Sequence, residues 1–249
     1  MKISKSHPRY ESLRNRHRLL EGFKQGYVAV AGLIAHGRGE TFDYLIGERT
    51  SKQAKEAEKA AVAMLLLSNN PVISVNGNVA ALVSREIVRL SRLTNSKIEV
   101  NLFYRTSRRE VLIRDILRKY GAKYILGLGK DKSEKIPKLD SKRGKVDKRG
   151  IWIADAVLVP LEDGDRAEAL GKMGKKVIAI DLNPLSRTSQ SATIAIVDNI
   201  VRAIPDMIEL AKKMKNWDRN DLEILIRNFD NKKNLDRTIR YMRSGTHPP

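Results

Sequence analysis

Pro71-Val72-Ile73-Ser74-Val75-Asn76-Gly77-Asn78 is the stretch on which the fold of this chain is read. A short β-like apolar run, 72–75, stops in a polar cluster that contains glycine, and a helix-length segment, 80–93, follows. The same succession recurs down the chain. Residues 98–103 end in Tyr104-Arg105-Thr106 ahead of a helix at 108–120. Residues 156–161 end in Glu162-Asp163-Gly164-Asp165-Arg166 ahead of a helix at 166–173. Residues 177–180 end in Asp181-Leu182-Asn183-Pro184 and a Pro/Ser loop, and 194–197 end in Asp198-Asn199 ahead of a helix at 199–214. A further strand at 124–128 leads into a Lys-rich loop, 130–150. Strands separated by helix-length segments imply crossover units and an α/β fold with a mostly parallel sheet flanked by helices. In such a sheet, ligands sit outside the carboxyl ends of the strands, so these polar clusters are the candidate site.

Composition narrows the class. The chain has 249 residues, enough for one large domain or a main domain with small additions. Its 41% hydrophobic content is that of a globular protein. There is no cysteine, which excludes disulfides, thiolate catalysis and Cys-ligated metals. The most apolar run, 60–67, is far shorter than the roughly 20 residues a spanning helix needs. The basic start, 1–9, has no apolar signal segment behind it, so cytoplasmic residence without membrane contact is expected. A formal charge of +19 favours anionic partners. It fits a Lys/Arg-coated surface of the kind seen in heat-stable proteins, or a field focused on an anion site.

Around the strand-rich core, residues 71–215, lie two additions. The N-terminal part, 1–70, reads as a basic amphipathic helix at 7–25, an apolar stretch at 26–35 leading into a glycine loop, and an Ala/Leu-rich helix at 52–68 stopped by Asn69-Asn70-Pro71. The C-terminal tail, 216–249, reads as two shorter helices within 217–243. The division is expected to form one compact unit.

Each cluster has a functional and a plainer reading. His36-Gly37-Arg38-Gly39-Glu40 sets a planar cation between glycines, a phosphate-loop pattern, or else a turn with a surface arginine. Asn76-Gly77-Asn78 offers amides at a helix start, or a cap supplied by Asn78. Glu162, Asp163 and Asp165 can hold Mg²⁺ or accept from an amine, or compensate a helix dipole. Asp181 through Thr188 reads as a recognition loop in which Asp or Asn addresses ribose or a base edge and Ser, Arg and Thr hold phosphate. Asp198-Asn199 lies one strand further along the same wall. Lys142-Arg143-Gly144-Lys145 offers phosphate contacts from the long loop. Neither a Walker A loop nor a Gly-x-Gly-x-x-Gly fingerprint is present, and Gly127-Leu128-Gly129 is only a fragment. The histidines His7, His17, His36 and His247 have no metal-ligand spacing, and no Gly-x-Ser-x-Gly elbow occurs.

Read together, these strings resemble the archaeal phosphopantothenate synthetases, the 4-phosphopantoate–β-alanine ligases. The resemblance is carried by 6–10 (Ser-His-Pro-Arg-Tyr), 31–40, 42–45, 71–78, 100–106, 159–166, 181–187 and 196–199, and it spans about 6–211. The chain departs from the family pattern at His17, where an acidic residue is expected, and at Lys138 and Ala167, where Gly and Thr are expected. The resemblance implies a Rossmann-like homodimer that joins 4-phosphopantoate to β-alanine with ATP and Mg²⁺, releasing AMP and diphosphate. It implies ATP contacts from Arg16, Arg38, Asp181, Leu182, Asn183, Arg187, Thr188, Asn199 and Ile200. With the mechanism it implies, an acyl-adenylate attacked by an amine, Arg38, Asp163 and Asp165 become the expected catalytic residues. Asn76, Asn78, Asn101 and Arg105 become the expected contacts of the acid substrate, Arg105 on its phosphate. The rival classes are a nucleic-acid-binding module, disfavoured by acidic strand ends and 5% aromatics, and a nucleotide-binding regulator on the same sheet.

Overall fold

The computed structural model describes residues 4–7 and 9–245, so Pro8 and His247 lie outside the described residues. Ten α-helices and eight strands follow one another in the described chain. Helices α1 (Tyr10–Lys24), α2 (Val30–Leu45) and α3 (Lys52–Leu67) lead into β1 (Pro71–Val75), α4 (Gly77–Leu93), β2 (Lys97–Val100), α5 (Ser107–Lys119) and β3 (Ile125–Leu126). Two minor strands, β4 (Glu134–Lys135) and β5 (Lys145–Val146), form an antiparallel pair of their own. Then come β6 (Ala156–Pro160), α6 (Gly164–Lys172), β7 (Lys176–Ile180), α7 (Arg187–Ser191), β8 (Ile194–Ile196), α8 (Ile200–Met214), α9 (Arg219–Arg227) and α10 (Asn231–Arg243).

The main sheet has six strands in the order β3-β2-β1-β6-β7-β8, every pairing parallel. The order reverses between β1 and β6, which makes that junction a topological switch point. The α/β, Rossmann-like expectation holds. Period-2 alternation divides the strands between two cores. Ile73, Val75, Leu158, Ile178 and Ile180 face helices α3, α4 and α8. Val72, Val157, Val159, Val177 and Ala179 face α6 and the segment 136–154. Burial on both faces explains why the strands read as continuous apolar runs.

Several local expectations are corrected. Residues 101–103 are not strand; the second strand ends at Val100. The third strand is reduced to two residues, Ile125 and Leu126. The loop 130–150 is not simply solvated: Ile136, Leu139 and Val146 from it are buried in the second core. Buried Glu99 of β2 anchors its far end, accepting from the N–H of Asp147 at 3.1 Å and of Ile151 at 2.7 Å. Lys138 within it adopts φ 59°, a left-handed backbone that suits the glycine expected there. The Pro/Ser loop after β7 contains the short helix α7.

The largest correction concerns His36-Gly37-Arg38-Gly39-Glu40, which forms no loop but lies within α2. Glycine costs about 1 kcal/mol relative to alanine inside a helix, and tertiary anchors outweigh it here. Asn78 donates from Nδ2 to Gly32 O at 2.8 Å near one end of α2, and Asp43 is ion-paired to Arg202 near the other. At the far edge of the sheet, Asn231 and Asn234 of α10 bond the backbone of β8 at Ala195, at 2.8 and 2.9 Å. This fastens the C-terminal helices over an edge strand that would otherwise be open.

Candidate active site at the strand-order reversal

A cavity of about 630 Å³ opens over the carboxyl ends of the strands, roofed by α2. That volume is within the ordinary range for small-molecule sites. The junction beneath it is tied by Asn76, the N-cap of α4. Its Oδ1 accepts from the N–H of Asn78 and of Val79, and its Nδ2 donates to Pro160 O at 3.1 Å and Leu161 O at 3.0 Å. The side-chain amide of Asn76 is thereby fully engaged, and it stitches β1 to β6. Asn78 sits in the first turn of α4 and is not the cap; its Oδ1 remains without a hydrogen-bond partner among the described residues.

Beside this junction lies a compact charge array. Glu162, at the end of β6, is ion-paired to both Arg143 and Arg166, and Arg143 also reaches Asp163 at 2.9 Å. Arg166 is fully buried and donates to Ser74 Oγ at 3.2 Å. Burial lowers both guanidinium pKa values to about 10, so both stay charged at neutral pH. Arg143 comes from the long segment 130–150, and its backbone carbonyl accepts from Asn101 Nδ2 at 3.0 Å. Two cations and two carboxylates leave the floor nearly neutral.

The ends of the cavity differ. At the β7/β8 end, Asp181, Leu182, Asn183, Asn199 and Ile200 line the wall, with Arg38 of α2 above them. Asp181 accepts from Ser186 Oγ at 2.6 Å and from the Asn183 N–H at 3.0 Å. Burial pushes its pKa up, with those hydrogen bonds and Arg38 opposing. Arg38 itself is exposed and makes no hydrogen bond or ion pair among the described residues. At the β1/β2 end the lining includes Asn78, Phe103, Tyr104 and Arg109. Arg109 donates to Tyr27 O from Nε and Nη2, at 3.2 and 2.8 Å, and from Nη1 to Tyr104 O. It has no carboxylate partner among the described residues, and burial alone lowers its pKa.

The structure thus brings together Arg38, Asp163, Asp181, Leu182, Asn183, Asn199, Ile200, Asn76 and Asn78 around one cavity. Seven other residues singled out in the sequence are outside its lining. Asn101 is buried under Arg143. Arg105 is buried away from the cavity, paired at 2.9 Å to Glu110, a carboxylate it shares with Lys132, and bonded to Gly127 O. Arg16 is held by Glu40 at 2.9 Å, and Arg187 by Glu168 at 2.9 Å. Thr188 is buried and donates to Glu162 O at 2.8 Å. Asp165 is exposed and accepts its neighbour's N–H. Asp198 lies behind the wall, bonded to Thr50 at 2.7 Å and paired with Arg202. Sequence reasoning missed Arg109. Its only signal is its place in the first turn of a helix that follows a strand, three residues after the cap Thr106.

A family model described as phosphopantothenate/pantothenate synthetase matches residues 53–245. The chain belongs to this family. It is 58% identical to the 4-phosphopantoate–β-alanine ligase of Thermococcus onnurineus, over 98% of this chain and 93% of that one. It is 56% identical to the ligase of the same name from Thermococcus kodakarensis, over 97% and 92%. With that of Methanosarcina mazei the identity is 54%, over 95% and 92%. This member of the family is therefore an enzyme matched along nearly its whole length, and the cavity at the strand-order reversal is its candidate active site. Among the described residues no group of three or more His, Asp or Glu side chains is placed to hold a metal ion, and no helix is long and apolar enough to cross a membrane.

Proposed function

We propose that the chain joins 4-phosphopantoate to β-alanine in an ATP-dependent reaction, giving 4′-phosphopantothenate for coenzyme A synthesis. The observation that carries this reading is one cavity with unlike ends that meet over the switch point. The β7/β8 end offers Asp181, Asn183 and Asn199 for ribose and base, with Arg38 for phosphate. The β1/β2 end offers a second cation to a second anionic substrate.

A carboxylate does not react with an amine at neutral pH until it is activated. In the proposed first step a carboxylate oxygen of the acid attacks the α-phosphorus of ATP. The bond from that phosphorus to the β-bridging oxygen breaks, and diphosphate leaves with the electron pair. In the second step the β-alanine nitrogen attacks the acyl carbon and AMP departs with its oxygen. The nitrogen gives up two protons in becoming an amide N–H. Asp163, half-exposed at the cavity floor, is the acceptor best placed for the ammonium. Arg143 beside it can stabilise charge that develops on the reacting phosphorus and acyl oxygens. Arg16 and Arg187 reach the phosphates only by leaving Glu40 and Glu168. Thr188 acts indirectly, by holding the Glu162 backbone. Asp165 in its present exposed position is a weaker candidate than Asp163.

Mg²⁺ is expected on the nucleotide phosphates, a mode that needs only one or two protein carboxylates. With Asp163 given to the ammonium, Asp165, exposed and without an ion pair among the described residues, is the carboxylate that would hold it. Bound there it would neutralise phosphate charge. The homodimer belongs to the same proposal: Val30 and Ile34 on α2 are 57% and 68% exposed, an apolar stripe suited to a partner copy. Incubation with ATP, Mg²⁺, 4-phosphopantoate and β-alanine, omitting each in turn, tests the reaction. AMP and diphosphate appearing only with both organic substrates are expected. ADP and phosphate would replace the adenylate by an acyl-phosphate, and no turnover by folded protein would sink the ligase reading.

A further inference from the structure

The cavity holds two cations that no carboxylate pairs with at close range. Arg38 at one end is exposed, and Asp181 lies near it. Arg109 at the other is half-buried and forms no ion pair among the described residues. Placing a guanidinium out of water without a counter-ion is costly, and proteins ordinarily pair such groups. Here carbonyl oxygens alone hold it: Tyr27 O takes two of its N–H groups and Tyr104 O a third. Of the five N–H donors of arginine two remain, one on each terminal nitrogen, a pair suited to two oxygens of one phosphate. The backbone leaves room for such an approach. A side chain at Gly77 would overlap Tyr27 O and stand 2.9 Å from Arg109 Nη2, so only glycine lets this arginine lie flat against the start of α4. Phe103 and Tyr104, with ring centroids 4.9 Å apart, border the same end.

We infer that Arg109 is the specificity-determining residue for the phosphate of the acid substrate, the role that the sequence assigned to Arg105. Arg105 is buried outside the cavity lining and paired to Glu110, which it shares with Lys132, whereas Arg109 lines the cavity and forms no ion pair among the described residues. The inference rests on the ligase reading only for the identity of the acid. It makes the enzyme select a phosphorylated acid over its dephosphorylated form by one pre-positioned fork.

The test is calorimetric titration of the wild type, Arg109→Lys and Arg109→Gln with 4-phosphopantoate, with pantoate and with ATP. The wild type is expected to prefer the phosphorylated acid. Arg109→Gln should lose that preference by roughly 30- to 100-fold, the worth of a charge-assisted pair of hydrogen bonds. Arg109→Lys should keep part of it through its charge, and pantoate and ATP should bind all three proteins alike. A merely structural role would weaken both acids equally and overturn the inference. An Arg109→Gln protein that keeps the preference would overturn it while leaving the ligase reading intact. Loss of ATP affinity instead would assign Arg109 to the nucleotide. A wild type that ignores the phosphate would overturn the inference and the proposed substrate together.

Discussion

Asn199 donates from Nδ2 to Asp43 Oδ2 at 2.7 Å, joining residues 156 positions apart. Through this bond the end of the sheet holds the helix that carries Arg38. Arg202 adds a second clasp, reaching Asp43 and Asp198 at 2.5 Å each. Asp43→Ala leaves the Asn199 amide unpaired and half of the Arg202 clasp empty. The expected result is a loss of about 2–3 kcal/mol of stability, read by urea denaturation. ATP affinity should fall by roughly tenfold as the cavity roof shifts. An unchanged ATP affinity would detach α2 from nucleotide binding.

The glycines of α2 separate into two kinds. A side chain at Gly37 would meet nothing within 4 Å, whereas one at Gly32 would overlap Asn78 Oδ1. Gly37→Ala should therefore stabilise the helix by about 0.5–1 kcal/mol. Gly32→Ala should destabilise the protein and weaken substrate binding by pushing α2 away from α4. Thermal melts of the two variants moving in the same direction would contradict this division.

Glu99 anchors the turn behind Arg143 by accepting two backbone N–H groups, one on each oxygen. Burial, opposed by those two bonds, raises its pKa to about 7. Glu99→Gln must point an N–H₂ at one of the two donors, at a cost of about 1–3 kcal/mol. Amide hydrogen exchange at Asp147 and Ile151 should accelerate selectively. Uniform exchange across the sheet would mean that the turn is held by other contacts.

Glu58 of α3 is buried, and one of its oxygens has no hydrogen-bond partner among the described residues. Burial raises its pKa to about 9, helped by Asp198 and Asp206 and opposed by Lys55 and Arg202. Its folded pKa lies above its unfolded value, so the folded state holds the proton more tightly. The corresponding stability is fully present below about pH 4.5 and declines as pH rises towards 9. Glu99 acts with the same sign up to about pH 7. Glu58→Gln should flatten the fall in denaturation free energy between pH 5 and 9, values chosen on the order of these two limits. Equal slopes for the variant and the wild type would show that Glu58 is ionised throughout.

How far the sequence could be read follows from the range of the forces involved. The strands at 72–75, 156–160 and 177–180 are buried on both faces, so short apolar runs rich in Val and Ile announce them. The glycines of α2 argue locally for a loop. Contacts from Asn78, Arg202 and Asn199, all distant in sequence, overrule them. Within the site, Asp181, Asn183 and Asn199 were legible because each closes a strand of a parallel sheet. The choice between Arg105 and Arg109 was not, since both follow β2 and both are cations.

Local patterning along the chain suffices for the α/β class, for a mostly parallel sheet and for the edge of that sheet where the cavity opens. Those depend on side-chain periodicity and on turn residues, which act over a few positions. Which polar residues at that edge are spent on the protein, and which face the cavity, depends on long-range contacts made on folding. Arg105 found Glu110 and Gly127, Asn101 found the backbone of Arg143, and Asn76 bridged β1 to β6. Arg38 and Arg109 form no ion pair among the described residues. A charge is neutralised by whatever group the fold brings within a few ångströms, and that neighbour comes from elsewhere in the chain.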